Sequence, residues 1–164
     1  MPALSATAAM WFLVPVAILS FVAAFNDLKR MKLPNVIVIA LALVYVVVGP
    51  FVLSLEQYGW GFVHAAVMYL VGMFAFMFLG VGAGDGKFAA AMSMFIPVAD
   101  ARMVLVIFAA YLLGAFAAHR IARRIPAVRS ATPDWVSWES GKFPMGLALA
   151  GTIVHYLAWV AFGF

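Results

Sequence analysis

The stretch GVGAGDGKFAAAMSMFIPV (residues 80–98) decides how this chain folds. Its head alternates glycine with Val81, Ala83, Asp85 and Lys87; its tail is apolar from Phe88 onward. Glycine in a helix costs about 1 kcal/mol relative to alanine, so a helix arriving at Gly80 is expected to end or unwind there. The tail is shorter than the roughly 20 residues that cross a bilayer core. Whether it crosses sets the topology of everything around it.

Long apolar blocks flank this stretch, at residues 8–25, 35–53 and 61–80 before it and 102–118 and 143–164 after it. The whole chain is 68% hydrophobic and 10% charged, with mean hydropathy +1.12. A soluble domain has about 45–50% apolar and about 25% charged residues. The expected fold class is therefore an all-α integral membrane protein, a polytopic bundle. The basic residues set its topology. If residues 86–101 cross and the N-terminus lies outside, Lys29, Arg30, Lys32, Lys87, Arg120, Arg123, Arg124, Arg129 and Lys142 all face the cytoplasm. Only Arg102 then lies outside. If the piece does not cross, the arginine-rich stretch moves outside and the bias collapses. Six spans with both termini outside are thus expected, the short one tolerated by a thinned bilayer or an interior position. No basic residue precedes the first block, unlike a cleaved signal peptide. Residues 119–142 read as one cytoplasmic loop, with Trp135 and Trp138 suited to the headgroup region. Residues 1–164 read as a single membrane-embedded domain.

Six carboxylates remain to be explained. Glu56 and Asp100 fall in outer connections, and Asp134 and Glu139 in the basic loop, where each reads as solvated charge. Asp27 and Asp85 fall at inner span ends, at one depth. Alone, Asp27 reads as a surface partner of Lys29 and Arg30. Asp85 is harder to dismiss, because irregular backbone at membrane depth must be buried in protein or line a wet cavity. Glycine also lets another backbone, such as a peptide substrate, come close, although plain helix packing needs glycine too.

A phosphate loop is excluded. Val81 stands where its first glycine belongs, and Phe88 where Ser or Thr should follow the lysine. The dinucleotide fingerprint fails likewise. Two aspartates at matched depth suit a water-activating dyad that shares a proton and needs neither cofactor nor metal. The chain has no cysteine, and His64, His119 and His155 have no zinc-site spacing. Each histidine is expected to be neutral, buried and bonded to a neighbour. The methionines read as packing, and the +4 net charge as topological rather than a nucleic-acid footprint.

Three motifs now line up. DLKRMKLPN (27–35) has an aspartate, a basic stretch and an aliphatic residue before Pro34-Asn35. GAGDGK (82–87) carries GxGD and a trailing lysine, and FPMG (143–146) opens the last block. Together they resemble the type IV prepilin peptidases, across nearly the whole chain. Met145 stands where that family often has an aromatic residue.

The resemblance implies a bacterial inner-membrane aspartyl endopeptidase. It would cut the basic leader from prepilins or pseudopilins after a glycine, at the cytoplasmic face, before pilus or secretion assembly. The catalytic positions map to Asp27 and Asp85. Gly82, Gly84, Gly86, Lys87, Pro34, Asn35, Pro144 and Gly146 map to positions that shape the site or hold substrate. The likeness is to the short branch, associated with Flp or tight-adherence pili. The zinc-binding cysteine pairs of the long branch have no counterpart, so methyl transfer is not implied. Partners are the prepilin and membrane lipid; Arg30, Lys32 and Lys87 are expected to point away from a basic leader or to meet lipid phosphate. Two rival readings stand beside this one: a proton-coupled transporter, whose site belongs near the midplane, and an inactive pilus-assembly scaffold.

Overall fold

The computed structural model describes residues 2–163. Among them are seven α-helices and two short 3-10 turns, with no strand. The helices are α1 (Ala6–Arg30), α2 (Asn35–Val52), α3 (Leu55–Leu79), α4 (Ala83–Ser93), α5 (Ala101–Ala122), α6 (Pro126–Ala131) and α7 (Gly146–Phe162). The 3-10 turns are Val98–Asp100 and Val136–Trp138. Four segments are long and apolar enough to cross a membrane: Ala6–Arg30, Asn35–Val52, Leu55–Leu79 and Val98–Ala122. α7 is apolar but shorter.

Local chemistry explains the helix ends. Ser5 caps α1, its hydroxyl accepting from the Ala8 amide at 3.2 Å. Ser54 and Gln57 form a reciprocal capping box at the start of α3, which satisfies two orphan amides. α3 ends on Gly80 in the left-handed region, φ 72°, a conformation glycine adopts without penalty. α1 ends on Met31, also left-handed at φ 52°. That costs a residue with a Cβ about 1–2 kcal/mol, and it turns the chain sharply into Leu33 and Pro34.

α1 and α7 form the centre, packed antiparallel. The start of α7 meets the end of α1 at Gly146 and Asp27. Tyr156, late in α7, meets Asp100, which also binds the segment before α1. α2 flanks α1, α4 sits between α2 and α3, and α5 packs on α7. At the Asp100 end, Phe12, Tyr45 and Phe95 lock α1, α2 and the turn after α4 together; the Phe12–Phe95 centroids lie 5.0 Å apart, edge to face. Apolar side chains cover the outside: α3 buries only Gly61 and Gly72 against the rest of the chain. Such a surface suits lipid.

The stretch 80–98 departs from its expected form. α3 does end at Gly80, but helix resumes at Ala83 and runs through Gly84 and Gly86. Close packing offsets the low helix propensity of glycine. A Cβ on Gly86 would lie 3.0 Å from the Gly72 Cα, and one on Gly84 3.0 Å from the Leu33 Cβ. The expected span 86–101 is not one helix. It breaks after Ser93 into tight turns at Met94, Phe95 and Ile96, all buried, which is where non-helical backbone is tolerated at membrane depth. The chain still traverses the bundle. Phe95 reaches Phe12, and α1 advances about 22 Å from Phe12 to Asp27 at ~1.5 Å per residue.

Other boundaries shift too. α1 runs on to Arg30, so Asp27 lies in its last turn, and α3 begins at Leu55 rather than near residue 61. α7 starts at Gly146, and Phe164, the end of the last expected span, lies outside the described residues. The stretch 119–142 is not a plain loop: α5 extends through Ala122, and α6 and the second 3-10 turn follow. Trp138 is buried within the protein. Its indole N–H donates to Thr132, and it stacks between His119 and Trp135.

Asp100 is the clearest correction. It is buried, not solvated. It accepts from the Ala3 amide at 2.8 and 2.9 Å, from the Leu4 amide at 3.3 Å and from the Tyr156 hydroxyl at 2.7 Å. Ala3 and Leu4 precede the Ser5 cap of α1, so their amides lie outside the helix ladder and need another acceptor, which this carboxylate supplies.

Candidate active site

Asp27 and Asp85 come from opposite kinds of helix end. Asp27 is in the last turn of α1, buried, and its Oδ2 accepts from the Gly146 amide at 2.8 Å. Gly146 opens α7, so its N–H is one of the orphan donors at a helix N-terminus, where negative charge is favoured. A Cβ at that position would sit 2.9 Å from Asp27 Oδ2 and 3.1 Å from its Cβ. Glycine is what lets the two elements meet. Pro144, fully buried, steers the chain into this contact.

Asp85 is in the first turn of α4, half-buried, with its carboxylate folded back over Gly82. A side chain on Gly82 would collide with it. Asp27 and Asp85 line one cavity of about 450 Å³ at one end of the bundle, near enough for their charges to repel. The α1–α2 connection forms the facing wall, from Arg30 to Asn35.

The other expected residues divide into two groups. Gly82, Gly84, Pro34 and Asn35 line the cavity. Lys87 Nζ donates to Asn35 Oδ1 at 3.1 Å, tying α4 to the start of α2. Gly86 faces α3 instead, and Pro144 and Gly146 stand behind Asp27. Arg30 and Lys32, which read as topological in the sequence, line the cavity as well. Met31 and Leu33 join them without any mark of their own in the sequence; the run of one motif from Asp27 to Asn35 is the signal that reaches them.

The polar stretch after α5 braces this end. Lys29 pairs with Asp134 at 2.7 Å, and the ammonium holds that carboxyl below the usual carboxylate range. Phe25 meets Trp135 edge to face. Arg129 pairs with Glu139. The histidines stand apart from the aspartates. His64 stacks on Trp60. His119 is buried against Trp138, but neither ring nitrogen has a hydrogen-bond partner, contrary to expectation. His155 is bonded, to the Tyr111 hydroxyl at 3.3 Å, yet exposed rather than buried. Among the described residues no three His, Asp or Glu side chains gather as a metal-binding set.

The architecture is that of a multi-pass helical membrane protein with two carboxylates facing one cavity at one end. The model of the Type IV leader peptidase family matches residues 11–119, and the chain belongs to that family. The match takes in Asp27, Pro34, Asn35 and the 82–87 motif, and stops before Gly146. No curated protein and no solved structure matches the chain.

Proposed function

We propose that this protein is an aspartyl endopeptidase of the inner membrane that removes the basic leader of prepilins or pseudopilins at the cytoplasmic face. In this reading residues 1–164 are one peptidase domain of the short, Flp-associated type. They cross six times, with the N-terminus outside and the short α4 piece counted as a crossing. Asp27 and Asp85 are the catalytic pair. The ionised member takes a proton from water as its oxygen attacks the scissile carbonyl; the protonated member donates to the carbonyl oxygen. The proton belongs to the pair rather than to either residue. Collapse of the tetrahedral adduct with proton transfer to the leaving amine consumes one water and releases leader and mature chain. Gly82 and Gly84 leave room beside Asp85, Gly146 holds Asp27, and Lys87 with Pro34 and Asn35 shapes the facing wall.

One observation carries this reading: two carboxylates, on helices far apart in sequence, line a single cavity. Their position speaks against a transporter, whose site belongs near the midplane. Here one aspartate closes α1 and the other opens α4. Co-expression with a prepilin tests it by gel mobility. Asp27→Asn and Asp85→Asn are each expected to abolish leader removal while the protein still inserts. Normal processing by either variant sinks the proposal.

A further inference from the structure

Phe25 and Lys29 stand one turn apart on one face of α1. Asp27 lies between them in sequence, so at about 3.6 residues per turn its side chain leaves the opposite side of the helix. The segment after α6 grips the first face. Trp135 meets the Phe25 ring edge to face at 5.8 Å, and Asp134 pairs with Lys29 at 2.7 Å. On the other side the Gly146 amide holds the Asp27 carboxylate. The turn that carries Asp27 is thus held from both sides.

The two grips are joined. Trp135 stacks on Trp138 at 5.5 Å, Trp138 stacks on His119 at 5.0 Å, and His119 meets Phe143 edge to face at 6.0 Å. Each spacing falls within the about 4.5–7 Å at which aromatic rings attract. Phe143 stands shortly before Gly146, and Phe25 shortly before Asp27. The column of rings therefore closes a circuit around the Gly146–Asp27 hydrogen bond and ties the segment of one partner to that of the other.

His119 adds an independent observation. It is buried, and neither ring nitrogen has a hydrogen-bond partner in the protein. Leaving a buried polar group unmet is costly, so polar contacts do not account for its place, whereas its ring contacts with Trp138 and Phe143 do. Trp138 is fixed from the far side, its indole N–H donating to the Thr132 carbonyl and hydroxyl oxygens at 3.1 and 3.0 Å.

We propose that Trp138 and His119 are positioning residues for Asp27, and that His119 serves as a flat ring rather than as an acid, a base or a ligand. The catalytic consequence rests on the peptidase reading; the proposal adds which side chains outside the cavity set the place of its aspartate. Trp135, Trp138 and Phe143 lie beyond residues 11–119, the span that the family model matches.

Leader cleavage per folded molecule tests this. Trp138→Leu and His119→Ala should each lower kcat about ten-fold with KM held, part of the roughly 10²-fold cost of a misplacement near 1 Å. His119→Phe keeps a ring without the nitrogens and should keep the wild-type kcat. Trp60→Leu, which breaks the Trp60–His64 stack on α3, should leave kcat unchanged. The chain has no cysteine, so Asp27→Cys gives a single thiol. Its rate of modification by a water-soluble methanethiosulfonate reports the place of that side chain without any cleavage. Adding Trp138→Leu should change the rate several-fold, and adding Trp60→Leu should not. An unchanged kcat in Trp138→Leu and His119→Ala, or equal labelling changes with Trp138→Leu and Trp60→Leu, would overturn positioning. A folded but inactive His119→Phe would overturn the flat-ring role. Absence of cleavage by the wild type would instead overturn the peptidase reading, and the labelling rates would then decide positioning alone.

Discussion

Asp27 and Asp100 are equally buried, at 5% and 4% exposure, yet they sit at opposite ends of α1 in different chemistry. Asp100 is surrounded by donors: two backbone amides and a tyrosine hydroxyl occupy its lone pairs inside the protein. Asp27 accepts one amide and otherwise faces a cavity and a second carboxylate. On the proposed reading, burial does not separate a structural acid from a catalytic one. What separates them is whether the fold satisfies the carboxylate or leaves capacity for water and substrate.

This contrast can be broken. The largest expected effect is loss of leader cleavage in Asp27→Asn and Asp85→Asn with unfolding unchanged, against Asp100→Asn, which should still cut. If Asp100→Asn also abolished cutting in a folded protein, the two ends would not be distinct. Next, Asp100→Ala strands two amides and a hydroxyl. It should destabilise the protein by about 2–4 kcal/mol, read by denaturant unfolding in detergent, with activity per folded molecule preserved. Gly146→Ala should strike activity first. Its methyl displaces the Asp27 carboxylate, and a misplacement near 1 Å costs about 10²-fold, so cleavage per folded molecule should fall that far, while overpacking of α7 against α1 costs about 1–3 kcal/mol of stability. The smallest effect belongs to Tyr156→Phe. It removes one donor to a charged acceptor and should cost about 1.5–3 kcal/mol of stability, less than Asp100→Ala and with no change in kcat.

Much of this protein is legible in its amino-acid order. Apolar runs place α1, α2, α3 and α5, because a bilayer demands long uninterrupted stretches. The residues that line the cavity fall within two motifs, Asp27 to Asn35 and Gly82 to Asp85. Local propensity fails where close approach outweighs it. Gly84 and Gly86 are helical because Leu33 and Gly72 press against them. α4 breaks at Ser93 because buried turns carry Phe95 onto Phe12 and Tyr45. The solvated reading of Asp100 fails for a related reason: its partners Ala3 and Tyr156 are 97 and 56 positions away, and no local pattern announces them.

The two ends of α1 therefore divide between sequence and fold. Composition, charge bias and motif spacing are properties of short segments, and they determined a membrane helical chain with two noteworthy aspartates. Only the tertiary structure decided that a glycine amide 119 positions away would hold Asp27, that Asp85 would share its cavity, and that Asp100 would be consumed as a brace. Hydrogen bonds and repulsion between carboxylates act through space over a few ångströms. Which residues come that close depends on how α1, α4 and α7 pack together.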